Sequence, residues 1–169
     1  EIVSLADYRN RHALYRSDPQ LQAAHRVAPW VLTWDDHEVE NNYAGLIPQD
    51  RADDPIFADR RTAAYRAYWE HLPLRAEPEG VNLAMHRSLR WGDLVDLFVL
   101  DGRQHRDDQP CGTDIGLSCD ERFDPDQSML GAEQLTWLEQ GLGASDARWT
   151  VLANQTVMTP MPIGTAYNL

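Results

Sequence analysis

Lysine is missing from these 169 residues: all 15 basic side chains are arginine, set against 27 carboxylates, for a formal net charge of −12. Such a balance disfavours nonspecific contact with nucleic acid or anionic membranes, and no nucleic-acid-binding surface is evident. The all-arginine set reads either as compositional bias or as planar anion binding by some of its members. Long apolar runs are missing too. Nothing approaches the roughly 18 consecutive apolar residues a membrane helix needs, so no membrane span is expected. No basic-then-apolar leader opens the chain, so any export signal is expected to have been removed or to lie outside this segment. Cysteine occurs only at Cys111 and Cys119, too few ligands for a soft-metal site by themselves. What is present is a globular composition: 43% hydrophobic residues, with six Trp and six Tyr, fit one domain with a sizeable core.

Periodicity outlines an α/β chain. Tyr8, His12 and Tyr15 recur at helical spacing between Asp7 and Arg16, with Asp7 placed to cap them. Ser17-Asp18-Pro19 ends this helix and starts another, whose Leu21, Ala24 and His25 share a face. Trp30-Val31-Leu32 predicts a short buried strand over 30–34, and residues 43–55 a surface loop. A longer helix is expected from Ile56 to Leu72. It carries Phe57, Tyr65, Tyr68, Trp69 and Leu72 on one side, Arg60, Arg61 and Glu70 elsewhere, and Pro73 as its stop. Alternation from Met85 to Trp91, the Gly92-Asp93 turn and the apolar run Leu94 to Leu100 predict an antiparallel hairpin. Residues 104–128 form a long aperiodic loop. A helix over Gly131–Leu142, with Leu135, Leu138 and Leu142 facing in, leads to a last strand at Trp149–Ala153. Strands alternating with helices imply a largely parallel, layered sheet with helices on both faces.

Chemistry concentrates in Trp34-Asp35-Asp36-His37-Glu38-Val39-Glu40-Asn41-Asn42, directly after the expected strand. Ligands of open α/β sheets bind beyond the carboxyl ends of strands. Anionic oxygens and a neutral nitrogen there suit a hard, multiply charged cation; a solvated acidic loop is the plainer alternative. Asp101-Gly102-Arg103 ends a second strand, where Arg103 can hold a phosphate oxygen bidentately or pair with Asp101 to fix the loop. Asn154 and Gln155 end the third and either face the same crevice or make turns. An acidic protein that binds a phosphate ester needs cations to relieve the repulsion of anion by anion.

Cys111 and Cys119 are separated by seven residues, two of them glycine, which leaves slack to close a bridge. A disulfide would restrain the loop by about 2–3 kcal/mol in the chain-entropy account and imply an oxidising, extracytoplasmic compartment. Two free thiols are the alternative.

Several segments together resemble one family. Residues 29–45, from Pro29 through Asp35-Asp36-His37-Glu38 to Gly45, are similar to the signature of the PhoD-type alkaline phosphatase/phosphodiesterases. So are residues 7–16, 18–25, 100–104 (Leu100-Asp101-Gly102-Arg103-Gln104), 108–112 and 129–134. The likeness keeps its order over nearly the whole chain. It implies a metallophosphatase fold, a four-layered α/β/β/α sandwich with a dinuclear site at strand ends. It also implies hydrolysis of phosphate mono- and diesters, Ca²⁺ and Fe³⁺ as cofactors, and twin-arginine export to a secreted or cell-envelope location. Carried over by residue, it makes Asp36 a metal ligand and His37 the catalytic group that contacts phosphoryl or leaving-group oxygens. Asp35 and Glu38 become partners that orient His37, or solvated charges.

The family's early Gly-Asp segment and late Gly-Asp-x-His motif do not occur here. Residues 1–169 are therefore expected to be the central part of a PhoD-like metallophosphatase domain, inactive in isolation. A non-catalytic metal- or anion-binding domain descended from such an enzyme is the alternative.

Overall fold

A computed structural model describes residues 2–49, 54–112 and 119–158, and the backbone of 161–163 and 166–168. In chain order the elements are α1 (Leu5–Arg16), α2 (Pro19–Val27), α3 (Phe57–His71), β1 (Arg87–Trp91), β2 (Val95–Val99), a 3-10 turn (Asp120–Phe123), α4 (Gly131–Ala144), β3 (Trp149–Ala153), β4 (Met161–Ile163) and β5 (Ala166–Asn168). The architecture is mixed α/β with a small sheet.

Local chemistry sets the helix starts. Ser4, not Asp7, caps α1. The Ser4 hydroxyl accepts from the Asp7 amide while the Asp7 carboxylate accepts from the Ser4 amide, a reciprocal capping box. Asp18 caps α2 through the amides of Gln20 and Leu21, with Pro19 in the first turn where no amide is needed.

One core lies where α1 and α3 meet. Tyr8, Trp34, Val39, Tyr43, Phe57, Tyr65, Tyr68, Leu83 and Met85 are buried together, with the Trp34 ring stacked on Tyr65 at 4.2 Å. Contrary to expectation, α3 also buries Arg60 and Arg61. Arg61 donates to the carbonyls of Val81 and Gly45 and to Asn82 Oδ1; Arg60 donates to the Tyr8 hydroxyl and pairs with Glu40. A guanidinium carries five donors and can be buried where loop carbonyls lack ladder partners. The expected surface loop is partly core: Tyr43, Ala44 and Pro48 are buried, Tyr43 against Phe57 and Tyr65 of α3. Residues 50–53 of that loop lie outside the described residues.

The segment 30–34 is no strand. The carbonyls of Leu32 and Thr33 are taken by the Arg87 guanidinium at 2.8 Å and the Tyr68 hydroxyl at 3.0 Å, so side chains supply what a ladder would. Trp30 and Val31 are exposed and Trp34 alone of the run is buried. An apolar run cannot distinguish a paired strand from an extended segment pinned by side chains.

The sheet has the order β1-β2-β3. β1 and β2 form the expected antiparallel hairpin (Leu89↔Leu97), and β2 pairs parallel with β3 (Leu97↔Val151) after the α4 crossover. Phe98 and Leu152 lie beneath Leu138 and Trp137 of α4. A Cβ at Gly141 would run into the Phe98 ring, so glycine permits that approach. Leu135 and Leu142, expected inside, are exposed; Gln134 is buried beside Leu138 instead. Helices on both faces were expected, but among the described residues only the Phe98 face carries a helix, and the opposite face is buried only at its Val99 end. On that face Trp91 and Trp149 stand 75% and 63% exposed on either side of Val95, with Leu89 and Val151 exposed in the next row beside Leu97.

Candidate functional site

The acidic run folds as one tight turn organised by Asp36. Its carbonyl accepts from the amides of Val39 and Glu40, both at 2.9 Å. Its carboxylate accepts from the amides of His37 at 3.0 Å and Asn42 at 2.7 Å. Asn42 ends the turn at φ +55°, a left-handed conformation that Asn tolerates better than most residues. The Asp36 side chain is 13% exposed, whereas that of the adjacent His37 is 75% exposed. A fixed, nearly buried carboxylate thus sits beside an imidazole held out toward solvent.

Asn41 orients that imidazole. Its Oδ1 lies 2.7 Å from His37 Nε2, and its Nδ2 donates in turn to Gln49 Oε1. The Asn41 contact first, then the charge of Asp36 with its Oδ2 at 3.8 Å from Nε2, raises the His37 pKa above the ordinary imidazole value. Neither Asp35 nor Glu38 is hydrogen-bonded to His37. The Asp35 carboxylate accepts from Arg103 Nε at 2.6 Å, and Glu38 accepts from the Asp35 amide at 2.7 Å.

The end of β2 supports this turn from below. Asp101 is fully buried and its carboxylate accepts from Trp34 Nε1, the amides of Arg103 and Gln104, and Gln104 Nε2. Its backbone is paired both ways with the Gln134 carboxamide at 2.8 Å. Arg103 is therefore not bound to the Asp101 carboxylate by its side chain. Its guanidinium, on a residue only 5% exposed, reaches Asp35, the Tyr43 carbonyl at 3.4 Å and Asp36 at 3.9 Å. Gln155 donates to Thr33 Oγ1 and the Leu100 carbonyl, while Asn154 donates to the Thr156 carbonyl.

Among the described residues no group of three His, Cys, Asp or Glu side chains could hold a metal ion. Asp36 nevertheless keeps acceptor capacity on each oxygen after its two amide bonds. It suits a hard cation as one contributor, not as a site.

Cys111 and Cys119 are joined in a disulfide, with their Cα atoms 5.8 Å apart. The segment that leads into this bridge is tied to the acidic turn by Gln109, whose Nε2 donates to the Asn42 carbonyl at 2.6 Å. His86 and His105 face each other at 6.3 Å beside Trp137, near the start of α4.

Residues 1–168 match the sequence model of the PhoD-like phosphatase family. The chain belongs to that family. Alkaline phosphatase D of Bacillus subtilis (strain 168) is 49% identical over 168 residues, which cover 98% of this chain and 29% of that protein. A solved structure of PhoD superposes with a TM-score of 0.87 at 51% identity, over 90% of this chain and 30% of the other. This PhoD-like chain thus spans less than a third of the relatives it matches.

Sequence reasoning passed over Gln104, Gln134 and Arg106 in this PhoD-like site, and left Asn41 between turn-making and a functional role. Asn41 had a signal, since residues four apart in a helical turn are neighbours and His37 is its partner at that spacing. The two glutamines had none; they are recognised only once Asp101 is seen to be buried.

Proposed function

We propose that the protein containing this chain hydrolyses phosphate mono- and diesters with metal ions, and that this chain contributes Asp36 and His37. The observation that carries the reading is their juxtaposition on one turn: a locked carboxylate with spare lone pairs next to an exposed imidazole of raised pKa. Asp36 is proposed as one ligand of a cation, Ca²⁺ or Fe³⁺, whose other ligands come from outside these residues. Such cations, when bound, polarise the phosphoryl group toward attack by water. His37, protonated over a wider pH range than free imidazole and steadied by Asn41, donates a proton to the departing oxygen. Arg103 contributes to phosphate binding through what remains of its guanidinium, and Asp35 and Glu38 set the local charge.

The bare face of the sheet supports a wider fold in which a second sheet packs on it, as in a four-layered α/β/β/α sandwich with this chain as its central part. The Cys111–Cys119 bridge supports an exported, extracytoplasmic protein, where disulfides persist. The test uses the full-length protein with aryl phosphate mono- and diesters, with and without chelator. Hydrolysis should be chelator-sensitive and lost in Asp36→Ala; wild-type turnover in that variant refutes the ligand role. The isolated 169 residues should be inactive. Metal uptake by the full-length protein without hydrolysis of any ester would favour a non-catalytic binding domain instead.

A further inference from the structure

We propose that Arg106 is the principal phosphate-binding arginine of this site, its guanidinium receiving the non-bridging oxygens of the substrate's phosphoryl group. The inference deepens the phosphoesterase reading and rests on it. Sequence position favours Arg103 for that task, but the structure spends Arg103 elsewhere. Its Nε is bound to Asp35 at 2.6 Å, its Nη1 points to the Tyr43 carbonyl, and the residue is almost fully buried. Two of its five N–H donors are taken and burial restricts access to the rest, so Arg103 is less open to a ligand.

Arg106 differs on each count. Its side chain makes, among the described residues, one hydrogen bond, from Nε to the carbonyl of its own neighbour Asp107 at 3.3 Å. Among the described residues neither terminal nitrogen has a hydrogen-bond partner, although the residue is half-buried. A partly desolvated guanidinium without a carboxylate partner is costly unless an anion completes it.

Position points the same way. The loop after β2 is fastened on both sides of Arg106, to the acidic turn by Gln109, which donates to the Asn42 carbonyl, and just beyond it by the Arg103 carbonyl, which accepts from the Gly45 amide at 2.8 Å. The Arg106 carbonyl itself lies 3.7 Å from where a Cβ on Gly45 would stand, so this loop packs directly on the residues that follow the turn. Burial and the Arg103 charge lower the Arg106 pKa, with Asp35, Asp108 and Asp36 opposing; arginine remains a cation throughout. The planar fork then matches two phosphate oxygens at once.

The test compares wild type, Arg106→Ala and Arg106→Lys in the full-length protein. Readouts are steady-state hydrolysis of p-nitrophenyl phosphate, competitive inhibition by inorganic phosphate, and thermal melting. In Arg106→Ala, KM and the phosphate inhibition constant should both rise about tenfold or more, kcat should fall less, and the melting temperature of the phosphate-free protein should not fall. Arg106→Lys should recover part of the phosphate binding and lose the rest, because an ammonium cannot bind two oxygens in one plane. A phosphate inhibition constant within roughly twofold of wild type overturns the assignment, as does a lowered melting temperature with phosphate binding intact, which would mark a structural arginine. If Asp36→Ala abolishes turnover while Arg106→Ala leaves phosphate binding unchanged, only the Arg106 role falls. If the wild-type protein shows no chelator-sensitive hydrolysis, the parent reading falls and takes this one with it.

Discussion

At the scale of single residues, two side chains hold the rest of the site. Asp101 is a buried carboxylate that four donors converge on. In Asp101→Ala, the Trp34 indole N–H and the amides of Arg103 and Gln104 lose their acceptor in a region closed to water. Each stranded donor costs about 1–3 kcal/mol, so a loss of at least roughly 3 kcal/mol is expected from urea denaturation. A loss below about 1 kcal/mol would mean that water replaces the carboxylate. Asn41 governs His37 more gently. Removing its Oδ1 in Asn41→Ala takes away the largest contribution to the raised imidazole pKa, leaving the weaker pull of Asp36. Titration of the His37 ring protons by NMR should show the pKa falling toward its ordinary value. An unchanged pKa would show that the Asn41 contact does not hold the ring in solution.

At the scale of elements, the α1–α3 contact should be acid-sensitive through His12. That ring is half-buried, stacked on His71 at 5.1 Å, and burial first, then the charges of His71 and Arg16, lowers its pKa below 6.5. A folded pKa below the unfolded one means that folding favours the neutral ring. No stability is lost above the unfolded value, and loss sets in as pH falls from about 6.5 through the lower folded value. Glu70 behaves differently. Arg9 and Arg66 hold its carboxyl down to about 2, so its contribution is intact above the unfolded value near 4.5 and fades only as pH falls toward the lower one. The denaturation midpoint should therefore drop between pH 7.5 and 5 in the wild type and drop less in His12→Phe, which keeps the stacking surface without the proton. Equal slopes in the two proteins would exonerate His12.

Elements were also what the sequence revealed best. The Asp18-Pro19 start of α2, the Gly92-Asp93 hairpin turn and the apolar β2 and β3 each carry a local signal, and each appears close to where it was expected. The burial of Arg60 and Arg61, the unpaired segment 30–34 and the support of Asp101 by Gln134 have no local signal. Each depends on a partner 20 to 67 residues away, such as Val81 for Arg61, Asp101 for Trp34 or Asp101 for Gln134. In the candidate site, residue types drew attention to the Asp36 turn. They could not say which arginine is spent on Asp35 and which is left open.

At the scale of the whole molecule, the sheet poses an unanswered demand. Alternation along β1, β2 and β3 puts Leu89 and Trp91, Val95 and Leu97, and Trp149 and Val151 on one face, and no helix among the described residues covers it. Two tryptophans more than half exposed on an apolar sheet face are too large a patch to leave in water without consequence. Net charge does little to protect it, because repulsion at −12 is spread over the whole surface and screened within about 8 Å at physiological salt. The 169 residues alone should therefore self-associate or bind an apolar dye, and Trp91→Lys with Trp149→Lys should suppress both without unfolding α1 and α3, whose core is separate. In the full-length protein the same double substitution should destabilise strongly, since it would bury two unpaired charges between sheets. That opposite sign distinguishes a face covered by more of the same protein from one that is merely sticky. If both forms tolerate the double substitution equally, the second sheet does not lie there.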